Sequence, residues 1–248
     1  NIVCDACGGR RLKPESLERY KPWFVGMLLT QTQLARSGYA PEHGIDNHFN
    51  QRAVADRKPI IGFESLDPDC LRQMRKAPNL RPASPGSGTP YAAEVAELRR
   101  RHLQTWAALV LGYDNDTVDS IRAMCDWAIA NKFTFAAFNV LMPYPNTPLY
   151  ARLAEEGRLL YDGRWWLHPE YRFNHAAFKP ARMSADELTE VGWECRRRWS
   201  SLPSIVRRAL EPRTNLATPA RFALYCAYNP LFRRETFRKQ SMHLGTQP

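Results

Sequence analysis

The residues nearest the start of the chain that could do chemistry are two cysteines, Cys4 and Cys7. A Cys-x2-Cys pair can supply half of a zinc site or act as a redox pair, and two incidental cysteines are the alternative that we favour. The six cysteines of the chain are too sparse and scattered for the disulfide scaffold of a small secreted protein. We therefore expect free thiols and a cytoplasmic protein.

Two histidines and two aspartates are further candidates for a site. His168 and His175 lie among aromatic residues and could face a substrate, although we favour histidines that make structural hydrogen bonds. Asp114 and Asp116 stand in a turn directly before a predicted helix, where aspartate commonly caps the helix and shapes the turn. These four side chains do not identify a reaction by themselves.

The elements that must position these groups alternate between strand and helix from Lys58 onward. Such alternation implies parallel strands covered by helices. Three strands fit either an open doubly wound sheet or a barrel, and in both folds ligands bind at the carboxyl ends of the strands. The apolar runs predict strands over residues 59–63, 106–113 and 133–141.

The organisation of the chain changes along its length. Residues 1–57 are poorly specified: residues 22–29 could form a buried strand, but from Arg36 to Lys58 the chain shows neither helical nor strand periodicity. Residues 58–157 carry the alternating elements. Residues 158–248 begin with an aromatic stretch and continue as a basic helical extension, in which Ser184 and Glu187 form a capping box. We expect these three segments to be the domains of the chain.

Positive charge is concentrated in the last of these segments. Residues 193–239 hold eleven Arg or Lys against three Glu, in a chain whose net charge is +10. Such a segment indicates peripheral contact with an anionic membrane, nucleic acid, or only a solvated basic surface. We disfavour nucleic acid because no motif supports it. The basic and aromatic residues concerned are Arg207, Arg208, Arg221, Arg233, Arg234 and Arg238 with Phe222, Tyr225, Phe232 and Phe237.

Four short stretches resemble a known family. Residues 60–68 resemble the fourth barrel strand and following helix of radical S-adenosylmethionine enzymes, and residues 112–117 resemble the turn after the fifth strand. Residues 143–149, with the sequence Pro-Tyr-Pro-Asn-Thr-Pro-Leu, resemble the element after the sixth strand, and residues 156–160 its continuation. Their order and spacing are similar to the subgroup associated with a cobalamin-binding domain, over roughly residues 58 to 240.

The resemblance implies a fold and a function. It implies an α/β fold, a partial (β/α) barrel of parallel strands with a C-terminal α-helical extension. The implied cofactors are S-adenosylmethionine and a [4Fe–4S] cluster for radical chemistry, with cobalamin in the full-length parent. The substrate would be a small or lipid-like molecule, and the N-terminal half of the parent enzyme would be a partner. Because the chain starts at Asn1, we expect a fragment.

One departure from the family leaves catalysis open. The sequence holds no Cys-x3-Cys-x2-Cys triplet, so the cluster ligands are not in this chain, and Cys4 and Cys7 are only a weak substitute. The alternative function is therefore a truncated, non-catalytic relative that acts as a binding or interaction module.

The resemblance also implies a set of nucleoside contacts at the strand ends. Glu64 or Ser65 would meet the ribose hydroxyls, and a carboxylate suits this role because it accepts two hydroxyl hydrogen bonds. The alternatives are an acid favoured by the dipole of the adjacent helix and ordinary strand packing. The implied cofactor-binding residues are Glu64, Ser65, Val110, Gly112, Leu141 and Met142.

Overall fold

Strands and helices alternate in the part of the chain that the computed structural model describes, residues 63–74 and 91–243. This part contains two parallel β-strands, seven α-helices and a short 3-10 helix at Tyr161–Gly163. The α/β prediction is therefore confirmed. The elements are α1 (Pro68–Gln73), α2 (Ala92–Arg100), β1 (Trp106–Leu111), α3 (Val118–Ala130), β2 (Phe135–Val140), α4 (Pro148–Glu155), α5 (Ala185–Trp199), α6 (Leu202–Ala209) and α7 (Pro219–Lys239).

Local capping chemistry fixes where several helices begin. The Asp67 side chain accepts hydrogen bonds from the first amides of α1, which starts at Pro68. Thr117 caps α3, and Ser184 and Glu187 form the predicted capping box of α5. Side-chain caps of this kind satisfy amides that have no partner within the helix, so these starts follow from a few neighbouring residues.

The two strands pair in parallel, in a register that joins Trp106 to Phe135 and Leu111 to Val140. A third chain segment runs beside them, because the Val110 N–H donates to the carbonyl of Glu64 over 3.0 Å. The strand predicted over residues 59–63 lies almost entirely outside the described residues. The chain thus brings the segment before α1 next to β1 and places β2 on its other side.

One face of the sheet is closed by helices. Its side chains pack against α3 and α5 in a continuous apolar core, to which α5 contributes Leu188, Val191, Cys195 and Trp199. Burial of this face drives the association of strands and helices. The strand residues on it are Ala107, Leu109, Leu111, Phe138 and Val140.

The opposite face is only partly covered. The ring centre of Phe232 on α7 lies 5.1 Å from that of Trp106 and 5.4 Å from that of Phe135, at the amino ends of the strands. Trp106 nevertheless remains 52% exposed. A barrel closes only when further strands join its edges, and the described residues contribute two. They therefore show a mixed α/β fold with a two-stranded parallel sheet, and the partial barrel stays a prediction.

The chain divides into two compact units. Residues 61–163 and 172–242 form the unit that holds the sheet, and residues 164–171 belong to the other. In that second unit Trp165 is buried, with its ring centre 5.7 Å from Trp166 and 5.1 Å from Tyr171. The domain boundaries at residues 57 and 157 stay predictions.

Candidate functional site

The carboxyl ends of three neighbouring segments meet at one edge of the sheet. The Val110 N–H reaches the Glu64 carbonyl, and the Leu141 N–H donates to the carbonyl of Leu111 over 2.8 Å. Gly112 directly follows Leu111, so the predicted nucleoside-binding residues lie side by side at this edge. Their roles toward a nucleoside stay predictions.

The first of these segments carries Glu64 and Ser65. Glu64 is half-buried, whereas Ser65 is fully buried. The Ser65 hydroxyl accepts a hydrogen bond from the Asp67 amide at 3.1 Å, and its carbonyl accepts one from the Tyr91 hydroxyl at 3.1 Å. Ser65 therefore holds the chain at the start of α1, and Glu64 is the better candidate for contact with a ligand.

Asp116 organises the turn that follows β1. One of its carboxylate oxygens accepts hydrogen bonds from the backbone amides of Gly112 at 2.8 Å and Tyr113 at 3.0 Å. The other oxygen accepts a hydrogen bond from the Cys70 thiol, whose sulfur lies 3.6 Å away. Burial raises the pKa of Asp116, and the two amide hydrogen bonds act in the opposite direction. The predicted turn role is thus observed, while the cap of α3 is the next residue, Thr117.

Gly112 is required by the packing of this turn. Its φ is +103°, and a Cβ built there would lie 2.6 Å from a methyl carbon of Leu188 on α5. A side chain would both strain the backbone and collide with the core. The packing interpretation therefore explains the glycine, and it leaves the predicted nucleoside contact untested.

Tyr113 is a site residue that the sequence prediction missed. Burial raises its pKa to about 12, and the nearby charges of Glu64 and Asp116 add to the rise. Its phenol therefore stays neutral. The signal for it was its position, directly after Gly112 at a strand end. Cys70 was missed as well, and burial also raises the pKa of its thiol.

Asp114 has a structural role. Its carboxylate pairs with Arg152 at 2.6 Å and Arg158 at 2.8 Å, and it also accepts from the Gln73 side chain. Burial opposes ionisation, but these three donors outweigh it and lower the pKa of Asp114. Asp114 therefore connects α1, the β1–α3 turn and α4. Its carboxylate is used in these contacts and stabilises this end of the sheet.

The third segment contains Leu141 and Met142. Leu141 is buried with its amide engaged by β1, and Met142 is half-buried. Asn146, in the turn that follows, has a φ of +64°, a left-handed conformation that asparagine adopts more readily than most residues. His175, one of the earlier candidates, lies elsewhere, with its ring nitrogen 2.9 Å from the Ser241 hydroxyl.

The described residues do not fit an iron–sulfur cluster or another metal centre. They contain no group of three or more His, Cys, Asp or Glu side chains that could hold a metal ion. Cys4 and Cys7 lie outside residues 63–74 and 91–243. The cysteines within those ranges are free thiols, of which Cys226 is exposed and Cys70, Cys125 and Cys195 are buried.

The basic tail does not form the single surface that its sequence suggests. Arg208 is 0% exposed and donates to the carbonyls of Phe133, Thr134 and Trp199. Tyr225 is also buried. Both residues are therefore removed from the predicted membrane-facing set, because they belong to the packing between α6, α7 and the start of β2.

A cavity of about 230 Å³ lies along β2, whose residues 135–139 line it together with residues of α5, α6 and α7. Its lining includes Phe135, Arg196 and Phe232 but none of the six predicted nucleoside-binding residues. The candidate site is therefore defined by the strand ends and not by this cavity. The pairing of the strands and the hydrogen bonds of Asp116 set the positions of its residues.

One family model matches the chain. It is that of the TraB/PrgY/gumN family, and it matches residues 3–100, roughly two fifths of the sequence. The comparisons show no radical S-adenosylmethionine domain, and the family that matches is a different one. Assignment of the chain to the cobalamin-associated radical S-adenosylmethionine enzymes was therefore wrong.

Curated relatives with partial matches carry methyltransferase names. The chain is 30% identical over 130 residues to the bacteriochlorophyllide d C-12(1)-methyltransferase of Chlorobaculum tepidum, covering 52% of this chain and 26% of that protein. It is 28% identical over 103 residues to the hopanoid C-2 methylase of Rhodopseudomonas palustris, covering 42% and 18% respectively. An uncharacterized methyltransferase of Synechocystis sp. is 25% identical over 135 residues, covering 54% and 24%.

These matches cover only part of each protein. The chain spans about a quarter or less of the length of the curated relatives it matches. Over about half of its own length or somewhat less, this chain is similar to proteins that are named for the transfer of methyl groups.

Proposed function

We propose that this chain forms the S-adenosylmethionine-binding part of a methyltransferase. The observation that carries the proposal is the meeting of Glu64, Gly112 and Leu141 at one carboxyl edge of parallel strands. Ligands of parallel α/β sheets bind at that edge. The names of the partial relatives support methyl transfer as the reaction class.

Each residue of the edge has a distinct task in this proposal. S-adenosylmethionine supplies a methyl group on a sulfonium sulfur. Glu64 accepts hydrogen bonds from the ribose hydroxyls, and Tyr113 offers a neutral O–H donor beside it. Asp116 holds the backbone of Gly112 and Tyr113 in place, so it is a positioning residue.

The finer features stay proposals of the same kind. A partial barrel of parallel strands, radical chemistry with a [4Fe–4S] cluster, and cobalamin in a longer parent protein are all expectations from the sequence. The described residues offer no ligand set for the cluster. The products separate the routes, because polar methyl transfer yields S-adenosylhomocysteine whereas reductive cleavage yields 5′-deoxyadenosine and methionine. A small or lipid-like substrate completes the proposal.

Calorimetric titration of the full chain with S-adenosylhomocysteine tests the nucleoside site. Glu64→Gln should weaken binding by about tenfold, because one charge-assisted hydrogen bond to ribose is lost. Glu155→Gln, an exposed acid on α4, is the matched control and should bind as the wild type does. Equal affinity of the two variants would remove Glu64 from the site. A wild-type chain that binds no nucleoside would favour the non-catalytic alternative.

A further inference from the structure

Helix α6 is arranged with its polar side inward and its apolar side outward. Ser204 and Arg208 are 6% and 0% exposed, whereas Leu202 and Val206 are 67% and 61% exposed. Leu210, at the C-terminal end of the helix, is 57% exposed and continues the same stripe at a spacing of four residues. A helix on a protein surface normally shows the reverse pattern.

The orientation of α6 is fixed by hydrogen bonds. Arg208 donates to the carbonyls of Phe133 and Thr134 and to the side-chain oxygen of Asn229, each over 3.2 Å. At the end of the helix the Lys132 ammonium donates to the Leu210 carbonyl over 2.7 Å. The apolar stripe is therefore held outward by a well-anchored helix and does not result from fraying.

Exposed apolar side chains and positive charge coincide in the same part of the chain. Of the thirteen exposed large apolar side chains in the described residues, ten fall within residues 202–242. The same range holds eight Arg or Lys and two Glu. The ten are Leu202, Val206, Leu210, Leu216, Phe222, Leu224, Tyr228, Leu231, Phe237 and Met242.

We propose that α6 docks this protein on an anionic membrane surface. Leu202, Val206 and Leu210 would enter the boundary between headgroups and acyl chains, and the exposed Arg207 on their flank would meet the headgroup phosphates. The charge of residues 202–242 complements anionic lipid. Within residues 63–74 and 91–243 no helix has the length and apolarity to cross a bilayer, so the contact is interfacial.

The docking surface lies far from the candidate nucleoside site. Arg208 places α6 against Phe133 and Thr134, which precede β2, whereas Leu141 and Met142 follow it. A strand of this length separates its two ends by about 20 Å. Docking through α6 therefore leaves the carboxyl edge of the sheet free, and the inference does not depend on the proposed function.

Co-sedimentation of the full chain with lipid vesicles tests the proposal. The wild type should bind vesicles of phosphatidylcholine with about one third phosphatidylglycerol, bind pure phosphatidylcholine weakly, and lose affinity as salt rises. The variant Leu202→Ser/Val206→Ser/Leu210→Ser should bind the anionic vesicles at least tenfold more weakly. Because these side chains are exposed, its thermal unfolding should match that of the wild type. Tyr144→Ser, which removes a 59% exposed aromatic residue at the opposite end of β2, is the control and should bind normally.

Two further measurements keep the test decisive. Arg207→Glu should weaken binding to anionic vesicles without changing binding to neutral ones, even if the triple variant folds poorly. Equal binding by the wild type and a folded triple variant would overturn the proposal. So would a wild-type chain that ignores anionic vesicles, or one that forms a dimer which the triple variant abolishes, since the stripe would then be a protein contact.

Discussion

The two ends of the parallel strands are each organised by a buried charge, with opposite consequences. At the carboxyl end Asp116 accepts hydrogen bonds from the backbone amides of Gly112 and Tyr113 and holds their backbone at the strand end. At the amino end Arg208 donates to backbone carbonyls and turns α6 so that its apolar side faces outward. The comparison shows that the placement of a buried charge decides which surface of the adjoining segment is left for a ligand.

Within residues 63–74 and 91–243 neither Asp116 nor Arg208 forms an ion pair. Asp116 is stabilised by amide dipoles and a thiol, and Arg208 by carbonyls, an amide oxygen and the ring of Trp199, whose centre lies 3.6 Å from the guanidinium carbon. Burial lowers the pKa of Arg208 to about 10 and raises the pKa of Asp116. Buried charges of this kind are tolerated only when hydrogen bonds replace the lost water.

Removal of Arg208 should have the largest effect on stability. Arg208→Met leaves three buried carbonyls without this donor, so we expect the free energy of unfolding to fall by about 4 kcal/mol. Urea unfolding measures the change. Arg207→Met, on the same helix but exposed, should alter stability by about 0.5 kcal/mol or less. Similar losses in the two variants would mean that Arg208 does not hold the amino end.

Removal of Asp116 should destabilise the carboxyl end somewhat less. Asp116→Ala removes the acceptor of the Gly112 and Tyr113 amides inside the protein. We therefore expect the free energy of unfolding, measured with urea, to fall by about 3 kcal/mol. Asp119→Ala, in the first turn of α3 with a side chain that is 95% exposed, is the control. The control should lose at most about 1 kcal/mol, and a larger loss there than at Asp116 would refute the turn role.

A side chain at position 112 should cost less again, because Leu188 can partly move. In Gly112→Ala the new methyl group collides with Leu188 and the backbone keeps a strained φ. We expect the free energy of unfolding to fall by about 2 kcal/mol. Gly157 has a φ of +64° and open space around it. Gly157→Ala should therefore lower the free energy of unfolding by only about 1 kcal/mol, from the strain of a left-handed alanine. Differential scanning calorimetry of both variants separates the two contributions, and equal melting temperatures would contradict the packing at Gly112.

The smallest effect concerns Asp114 and depends on pH. Its pKa is lowered in the folded protein, so its ionised form stabilises the fold above the ordinary aspartate pKa of 3.8, and this stabilisation is lost as the pH falls through the lowered value. Asp114→Asn should therefore cost about 1 kcal/mol near neutral pH, and its difference from the wild type should shrink in acid. Urea unfolding across pH tests this, and a gap that widened in acid would contradict it.

Local chemistry was predictable from the sequence. The capping box at Ser184 depends on a few adjacent residues, and it begins a helix where the sequence indicated. The helix that follows Asp114 and Asp116 was expected as well, although Thr117 caps it. The order of strands and helices followed from apolar runs separated by turns. The strand ends at Gly112 and Leu141 were found for the same reason, since each run stops at a turn signal.

Features that depend on distant contacts were not predictable. Arg208 reads as a surface cation in the sequence, but its partners Phe133 and Thr134 lie more than seventy residues earlier. The roles of Tyr113 and Cys70 likewise arise from neighbours brought together by folding. Closure of a barrel cannot be inferred from two or three strands, because the same alternation fits other parallel sheets.

The most direct test of the central claim is an amide chemical-shift map of the isotope-labelled chain during titration with S-adenosylmethionine. We predict saturable shifts at the carboxyl end, at Gly112, Tyr113 and Met142, with the amides of Ser204 and Arg208 at the amino end unchanged. Shifts confined to the amino end, or none at all in a folded chain, would contradict a nucleoside site at the strand ends.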